Sequence, residues 1–293
     1  MDIITIMQVA MSGLAFGGIY ALVGSGFYIA NRTTNTLNFG QGDFLMVGCF
    51  VTIMFMRFAI PAYAIFFLVL LFLGGAGILL ERVAIRPVAT AGLSFVLTTM
   101  GFGMIIENVA AAIWGNYAQP FPSFWGGMKR KIIHIGGIGF FPEEFFILIA
   151  SLLVMLFFFF LLKRTITGKA LAAVAFNPDT ASIMGVNVTR MKVTAYILAS
   201  MLAGIAGFLI GPLTSVEPFM GLKYAIKGFV AGILGGFLNP VGILVGALLL
   251  GLLENFTNLL TSQYGDMIAF LTVILVLLFR PSGLFKEQEI RSR

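Results

Sequence analysis

The run Phe145-Phe146-Ile147-Leu148-Ile149-Ala150-Ser151-Leu152-Leu153-Val154-Met155-Leu156-Phe157-Phe158-Phe159-Phe160-Leu161-Leu162 carries no charge. Its length of about 18 residues is enough, at about 1.5 Å per residue, to cross most of a hydrocarbon layer about 30 Å thick. It is apolar at every position but Ser151 rather than at alternate ones, so it reads as a helix and not as a strand of an outer-membrane barrel. It stops at Lys163-Arg164, and the next stretch differs in kind. Gly168-Lys169-Ala170-Leu171-Ala172-Ala173 leads to Asn177-Pro178-Asp179-Thr180-Ala181-Ser182-Ile183-Met184-Gly185-Val186-Asn187 and then Arg190. That segment is too polar to cross a bilayer and too ordered in pattern to be a simple linker.

Similar uncharged or nearly uncharged runs fill the rest of the chain. They fall at about 7–30, 39–56, 60–80, 93–114, 144–162, 192–214, 222–238, 240–260 and 266–280. Hydrophobic residues make up 59% of the 293 and charged residues only 10%, with mean hydropathy +1.03. Soluble domains carry about a quarter charged residues. The sequence therefore predicts an all-α polytopic membrane protein of about nine transmembrane helices (between eight and ten) forming a single domain over 1–293. Met7–Ala30 reads as a retained first span, since Asp2 stands where a signal peptide has its positive start. The seventh run is short, carries Lys227 and is rich in glycine, so it either spans or is re-entrant.

Charge bias orients the chain. With nine crossings and the N-terminus outside, the inner segments hold about twice as many Lys and Arg as the outer ones, which keep Arg57, Lys129, Arg130, Lys131, Lys223 and Lys227. That arrangement is N-out and C-in, with 163–192 a cytoplasmic loop and 115–143 an extracytoplasmic one. Trp114, Tyr117, Phe121, Phe124 and Trp125 sit where an outer aromatic belt belongs. Glycines four apart, as at Gly13/Gly17 and Gly228/Gly232/Gly236, let helices approach closely in lipid. Ile105-Ile106-Glu107-Asn108 is echoed by Leu252-Leu253-Glu254-Asn255, both in runs expected to point outward, which suggests a parallel internal repeat.

The chemistry the chain can perform is narrow. One cysteine (Cys49) and one histidine (His134) allow neither an internal disulfide nor a Cys/His metal site, and no His-based catalytic set is available. Gly168-Lys169 lacks the remainder of a P-loop, so no nucleotide-phosphate cradle is present. There remain polar groups at membrane depth, which are costly and face a polar interior or pathway. Asn38, Gln41, Asp43, Glu107, Asn108, Glu254 and Asn255 are the candidates for a translocation pathway. Asp43 also suits the positive end of a helix. In the 168–190 loop, a short Ala-rich helix over Leu171–Phe176 is turned at Asn177-Pro178, because the residue before Pro is pushed out of the α region. Asp179 and Thr180 are placed to cap a second short helix ending at Gly185. Its Ala181, Ile183, Met184 and Val186 would suit a groove on a soluble partner.

Three blocks carry a resemblance. Gly13-Leu14 through Tyr20-Ala21-Leu22 with Leu37-Asn38-Phe39-Gly40-Gln41-Gly42-Asp43 and Met46, Gly48 is similar to the N-terminal signature of the branched-chain amino-acid ABC transporter permease family. Gly168 with Ala181, Ser182, Gly185, Asn187 and Arg190 resembles that family's coupling loop. Gly228-Phe229 through Gly235-Gly236, with Asn239-Pro240 and Gly242, resembles its glycine-rich segment. Gly40 stands where Ala is usual, Asp43 where Glu is commoner, and Ala172 where an Arg is often found. The resemblance implies a permease subunit in a bacterial inner membrane, half of a translocation pathway for branched-chain or related amino acids. It implies a coupling element comprising Gly168, Asn177, Asp179, Ala181, Ser182, Gly185, Asn187 and Arg190. Its expected partners are a second permease of the family, two ABC ATPase subunits that carry the ATP and Mg, and an extracytoplasmic binding protein, with no cofactor on this chain. Urea, short amides or other small carboxylates are competing substrates. An ion-coupled carrier using Glu107 and Glu254, and an intramembrane enzyme, are the alternatives from other classes.

Overall fold

The structure is a computed structural model that describes residues 3–88, 93–122, 133–135, 138–237, 239–261, 264–280 and 283–285. Phe124, Trp125, the Lys129-Arg130-Lys131 run and the basic residues from Lys286 onward lie outside the described residues.

Among the described residues, eleven α-helices make up the bundle: α1 (Ile3–Thr34), α2 (Gln41–Met56), α3 (Ala62–Leu80), α4 (Leu93–Trp114), α5 (Pro142–Arg164), α6 (Ile166–Phe176), α7 (Pro178–Ile183), α8 (Val188–Ile210), α9 (Gly221–Gly235), α10 (Pro240–Leu260) and α11 (Gly265–Phe279). A π-turn, Glu81–Ile85, prolongs α3, and a 3-10 turn, Gly211–Leu213, ends α8. Six of these helices are long and apolar enough to cross a membrane: α1, α3 with its extension, α4, α5, α8 with its extension, and α10. The helices α2, α9 and α11 are shorter, at 16, 15 and 15 residues. The expected extracytoplasmic loop contains one small antiparallel hairpin, β1 (Ile133–Ile135) with β2 (Ile138–Phe140), the pair His134↔Gly139 at its centre.

α2 and α9 are short because they start halfway along their neighbours. At the end of α1 the Thr33 and Thr34 hydroxyls donate back to the Ile29 and Ala30 carbonyls, and Asn35 takes a left-handed φ of 52° that stops the helix. The chain then turns back into the bundle. Asn38 Oδ1 accepts from Gly40 N at 3.1 Å, and α2 begins at Gln41, whose Nε2 donates to the Ala199 carbonyl at 2.8 Å. Ala199 lies roughly 16 Å up α8 from its first residue. On the other side, the chain leaving α8 is tied at Val216, which exchanges backbone hydrogen bonds of 2.8 and 2.9 Å with Gln119. It re-enters over 217–220 and starts α9 at Gly221, against which Gly42 packs backbone to backbone.

Direction is set by these contacts. α2 runs with α8: Gln41 meets Ala199, and Cys49 Sγ donates to the Gly207 carbonyl. α9 runs with α1: Tyr20 faces Tyr224, and Gly24 lies on Gly228. α1 and α8 are antiparallel, since Thr34 at the end of one meets Tyr196 in the early turns of the other. The two short helices therefore leave a common level in opposite directions, with their N-termini together.

The same contacts expose an inverted repeat. Gly48 of α2 lies on Gly204 of α8, and Gly228 of α9 lies on Gly24 of α1. Leu73 of α3 covers Gly204, and Ile243 of α10 covers Gly24. Exchanging α1 with α8, α2 with α9 and α3 with α10 reproduces each pairing with the direction reversed. This corrects the parallel repeat expected from the two Glu-Asn pairs. Those pairs lie on α4 and α10, which the exchange does not relate. Lipid offers no hydrophobic drive between helices, so close backbone approach at such small residues is what holds them together.

Candidate translocation site and coupling helices

Asp43 stands where the two short helices meet. It is 6% exposed, in the first turn of α2. A Cβ placed on Gly221, the first residue of α9, or on Gly103 of α4 would collide with its carboxyl group. Glycine at both positions leaves the room the carboxylate occupies. Glu107, one turn beyond Gly103 on α4, brings a second carboxyl group close to Asp43. Two neighbouring carboxylates repel each other, so a positive charge placed beside them is favoured. The amide N–H groups at both helix starts add positive potential from the opposite side.

Two buried amides complete this centre. Asn38 is 1% exposed with its Nδ2 unpartnered, and Gln41 is fully buried with its Oε1 unpartnered. A buried donor and a buried acceptor left open cost about 1–3 kcal/mol each unless water or a solute meets them. The structure thus brings Asn38, Gln41, Asp43 and Glu107 together around one irregular stretch of backbone. Within a membrane, such backbone is tolerated only when buried in protein or lining a wet cavity. Thr99, whose Oγ1 accepts from Phe39 N at 3.3 Å, and the glycines at 103 and 221 belong to this centre and were missed from the sequence.

The other candidates do not join it. Asn108 is exposed on α4 and turns its Nδ2 back to the Met104 carbonyl. Asn255 does the same to Gly251. Glu254 forms a separate buried cluster: Lys227 Nζ lies 2.5 Å from its Oε1, the Tyr20 hydroxyl donates to its Oε2 at 2.9 Å, and Lys227 sits 5.7 Å from the centre of the Tyr20 ring. Lys227 is 4% exposed on α9, so its assignment to an outer segment is corrected. Nothing near it in sequence signals the pair, because the partner acid lies on α10. Trp114, expected at an interface belt, stacks on Phe50 at 4.9 Å, while Tyr117 is exposed.

The 168–190 loop folds as two short helices and the start of a third. Thr165 caps α6, accepting from Gly168 N at 3.0 Å, and buried Gly168 packs against the last carbonyls of α5. Asn177 caps α7, its Oδ1 accepting from Thr180 N at 3.0 Å with Pro178 as the first helical residue. The cap expected at Asp179 and Thr180 is therefore one turn-start earlier, since Asn followed by Pro supplies both acceptor and preset φ. Gly185 takes φ 88° after α7, as its place at a helix end requires. Asn187 caps α8 by accepting from Arg190 N at 2.9 Å. Asp179, Ser182 and Arg190 are exposed, whereas Ala181 is buried and not part of the outer face. That face is apolar instead through Phe176 (85% exposed), Ile183 (87%) and Met184 (80%).

A polytopic helical protein with two broken helices, a polar centre where they meet and a helical loop presenting apolar side chains has the architecture of a membrane transporter component. The chain belongs to the family described as branched-chain amino acid transport system / permease component, which matches residues 9–277. It is 27% identical over 299 residues to the high-affinity branched-chain amino acid transport system permease protein LivH of Escherichia coli K12, covering 97% of this chain and 96% of that one. It is 26% identical over 297 residues to the corresponding protein BraD of Pseudomonas aeruginosa, with 97% of each covered. Over 123 residues, 39% of this chain and 38% of the other, it is 36% identical to the ribose import permease protein RbsC of E. coli. No solved structure matches the chain.

Proposed function

We propose that this chain is the membrane-spanning permease subunit of an ATP-driven importer for branched-chain or related amino acids, in the inner membrane of a bacterium. The observation that carries the reading is its similarity to LivH and BraD along nearly the whole of all three chains. It works with a second permease, two ATPase subunits that hold ATP and Mg, and an extracytoplasmic binding protein. The chain crosses nine times, N-out and C-in, with 35–40 plus α2 and 214–220 plus α9 each completing one crossing.

The centre at Asp43 suits a zwitterion. The substrate ammonium would stand beside the Asp43 and Glu107 carboxyl groups, whose negative charge it would balance. Its carboxylate would face the N–H groups at the start of α9. An ion-coupled carrier working through Glu107 and Glu254 fits the geometry less well, because Lys227 already neutralises Glu254. The test is uptake of radiolabelled leucine, ribose and urea by proteoliposomes holding the full complex. ATP-dependent leucine uptake that survives an uncoupler is expected, and ribose or urea uptake in its place would overturn the substrate class. In the same assay Asp43→Asn is expected to lower kcat/KM for leucine about 10- to 100-fold, the worth of one charged hydrogen bond.

Power reaches the spans through α6 and α7, whose exposed Phe176, Ile183 and Met184 would seat in an ATPase groove. Gly185→Arg puts a side chain into open space at a positive φ, a local strain of about 1 kcal/mol in an exposed turn. The variant is expected to insert and purify normally yet lose both ATPase capture and uptake. Normal uptake would remove α7 from the coupling role.

A further inference from the structure

Where α1, α5, α6 and α10 come together there is a cavity of about 280 Å³, whose lining combines the apolar Phe159, Leu162 and Leu171 with the cationic Arg32 and Lys163. It adjoins a second cavity of about 470 Å³ that shares Arg32, Thr33 and Ala172 and adds Lys192. Among the described residues, no carboxylate lines either. Arg32 is held in place by its neighbour one turn back: its guanidinium donates to the Tyr28 hydroxyl and lies 5.5 Å from that ring's centre. Phe159 and Leu162 close the long apolar run of α5, and Lys163 is the first charge after it. The cavity therefore straddles the level at which hydrocarbon gives way to headgroups.

We infer that this cavity binds an anionic phospholipid, its phosphate between Arg32 and Lys163 and an acyl chain along Phe159 and Leu162. A free inorganic anion would use the cations but leave the apolar wall empty, whereas a zwitterionic phospholipid would bring a cation of its own beside Arg32 and Lys163. Basic pockets between spans recognise such headgroups, each cation near the surface adding to the attraction. Leu171 and Ala172 belong to α6, so the lipid would also brace that helix against α1 and α5. The binding does not depend on which solute the protein carries, so leucine uptake can fail while lipid retention holds, and the reverse.

The test is native mass spectrometry of the full-length chain released from mixed micelles of dioleoylphosphatidylglycerol and dioleoylphosphatidylcholine. Phosphatidylglycerol is expected to be retained about 10-fold over phosphatidylcholine, and inorganic phosphate in excess is expected not to displace it. Arg32→Gln with Lys163→Gln should lower retention about 10-fold, while Arg57→Gln, an exposed cation at the far end of α2, should leave it unchanged. Ala172→Trp keeps every charge but fills the cavity from the α6 side, and it should expel the lipid as well. Equal retention of the two lipids, displacement by phosphate, or full retention in the double variant or in Ala172→Trp would each overturn the proposal.

Discussion

Replacing Lys227 by methionine is expected to destabilise the folded chain by about 3–5 kcal/mol, the cost of leaving one member of a buried ion pair alone. Glu254 would keep the hydrogen bond from Tyr20 but lose the ammonium 2.5 Å away, at a depth where water cannot replace it. The pair also ties α9, a helix of 15 residues, to α10. Thermal unfolding of the purified chain in a fixed detergent should register this as a drop of roughly 10 °C. The double variant Lys227→Met with Glu254→Met should recover most of the loss, because an apolar pair of similar volume needs no desolvation. Tyr20→Phe, which removes one hydrogen bond to a charged group and keeps the pair, should cost about 1.5–3 kcal/mol. If Lys227→Met unfolds at the temperature of the parent, the two charges are not isolated from water and the described packing of α9 is wrong.

A comparable loss is expected from a single added side chain at Gly42. Its Cβ would overlap the Gly221 carbonyl oxygen and stand 2.8 Å from the Ala225 Cβ. The obstacle is backbone on a neighbouring helix, which cannot rotate aside, so Gly42→Val must push α2 and α9 apart at their starts. Overpacking costs about 1–3 kcal/mol where side chains can adjust, and backbone obstruction belongs at or above the top of that range. Because Asp43 is the next residue, the polar centre would be dismantled together with the packing. Gly75→Ala is the control: no atom lies within 4 Å of a Cβ there, and α3 should gain slightly from alanine's helix propensity. Folded yield and leucine uptake, measured side by side, should collapse in the first variant and hold in the second. Retained uptake in Gly42→Val would show that the helix starts need not touch.

Much of this architecture could be read from the residues, for physical reasons that also mark where reading fails. The nine apolar runs predict helix positions to within a few residues, since an uncharged run in lipid has one way to satisfy its backbone. Asn177-Pro178 and Gly185 mark the α7 boundaries because caps and positive φ are local demands. That Asn38–Asp43 meets the start of α9 was invisible, because it depends on Ala199 and Gly221 far along the chain. Lys227 looked like an outer charge for the same reason: the acid that buries it is on another helix. The Glu-Asn echo misled because Asn108 and Asn255 bond only to their own helices, whereas the real repeat is carried by glycines whose partners lie across the bundle.

The crossed placement of the short helices also constrains how the protein can be made. Gln41 finds its acceptor at Ala199, 158 residues later in the chain. At about 5–20 residues per second, roughly 10–30 seconds of synthesis separate the two. Through that interval the Gln41 amide lacks the acceptor it has in the finished bundle, although it already lies beside Gly26 of α1 and Asp43 can meet Gly103 once α4 is made. This half of the bundle therefore cannot close before α8 is made, and slowing translation between 60 and 190 would lengthen the period in which the nascent chain is open to membrane proteases.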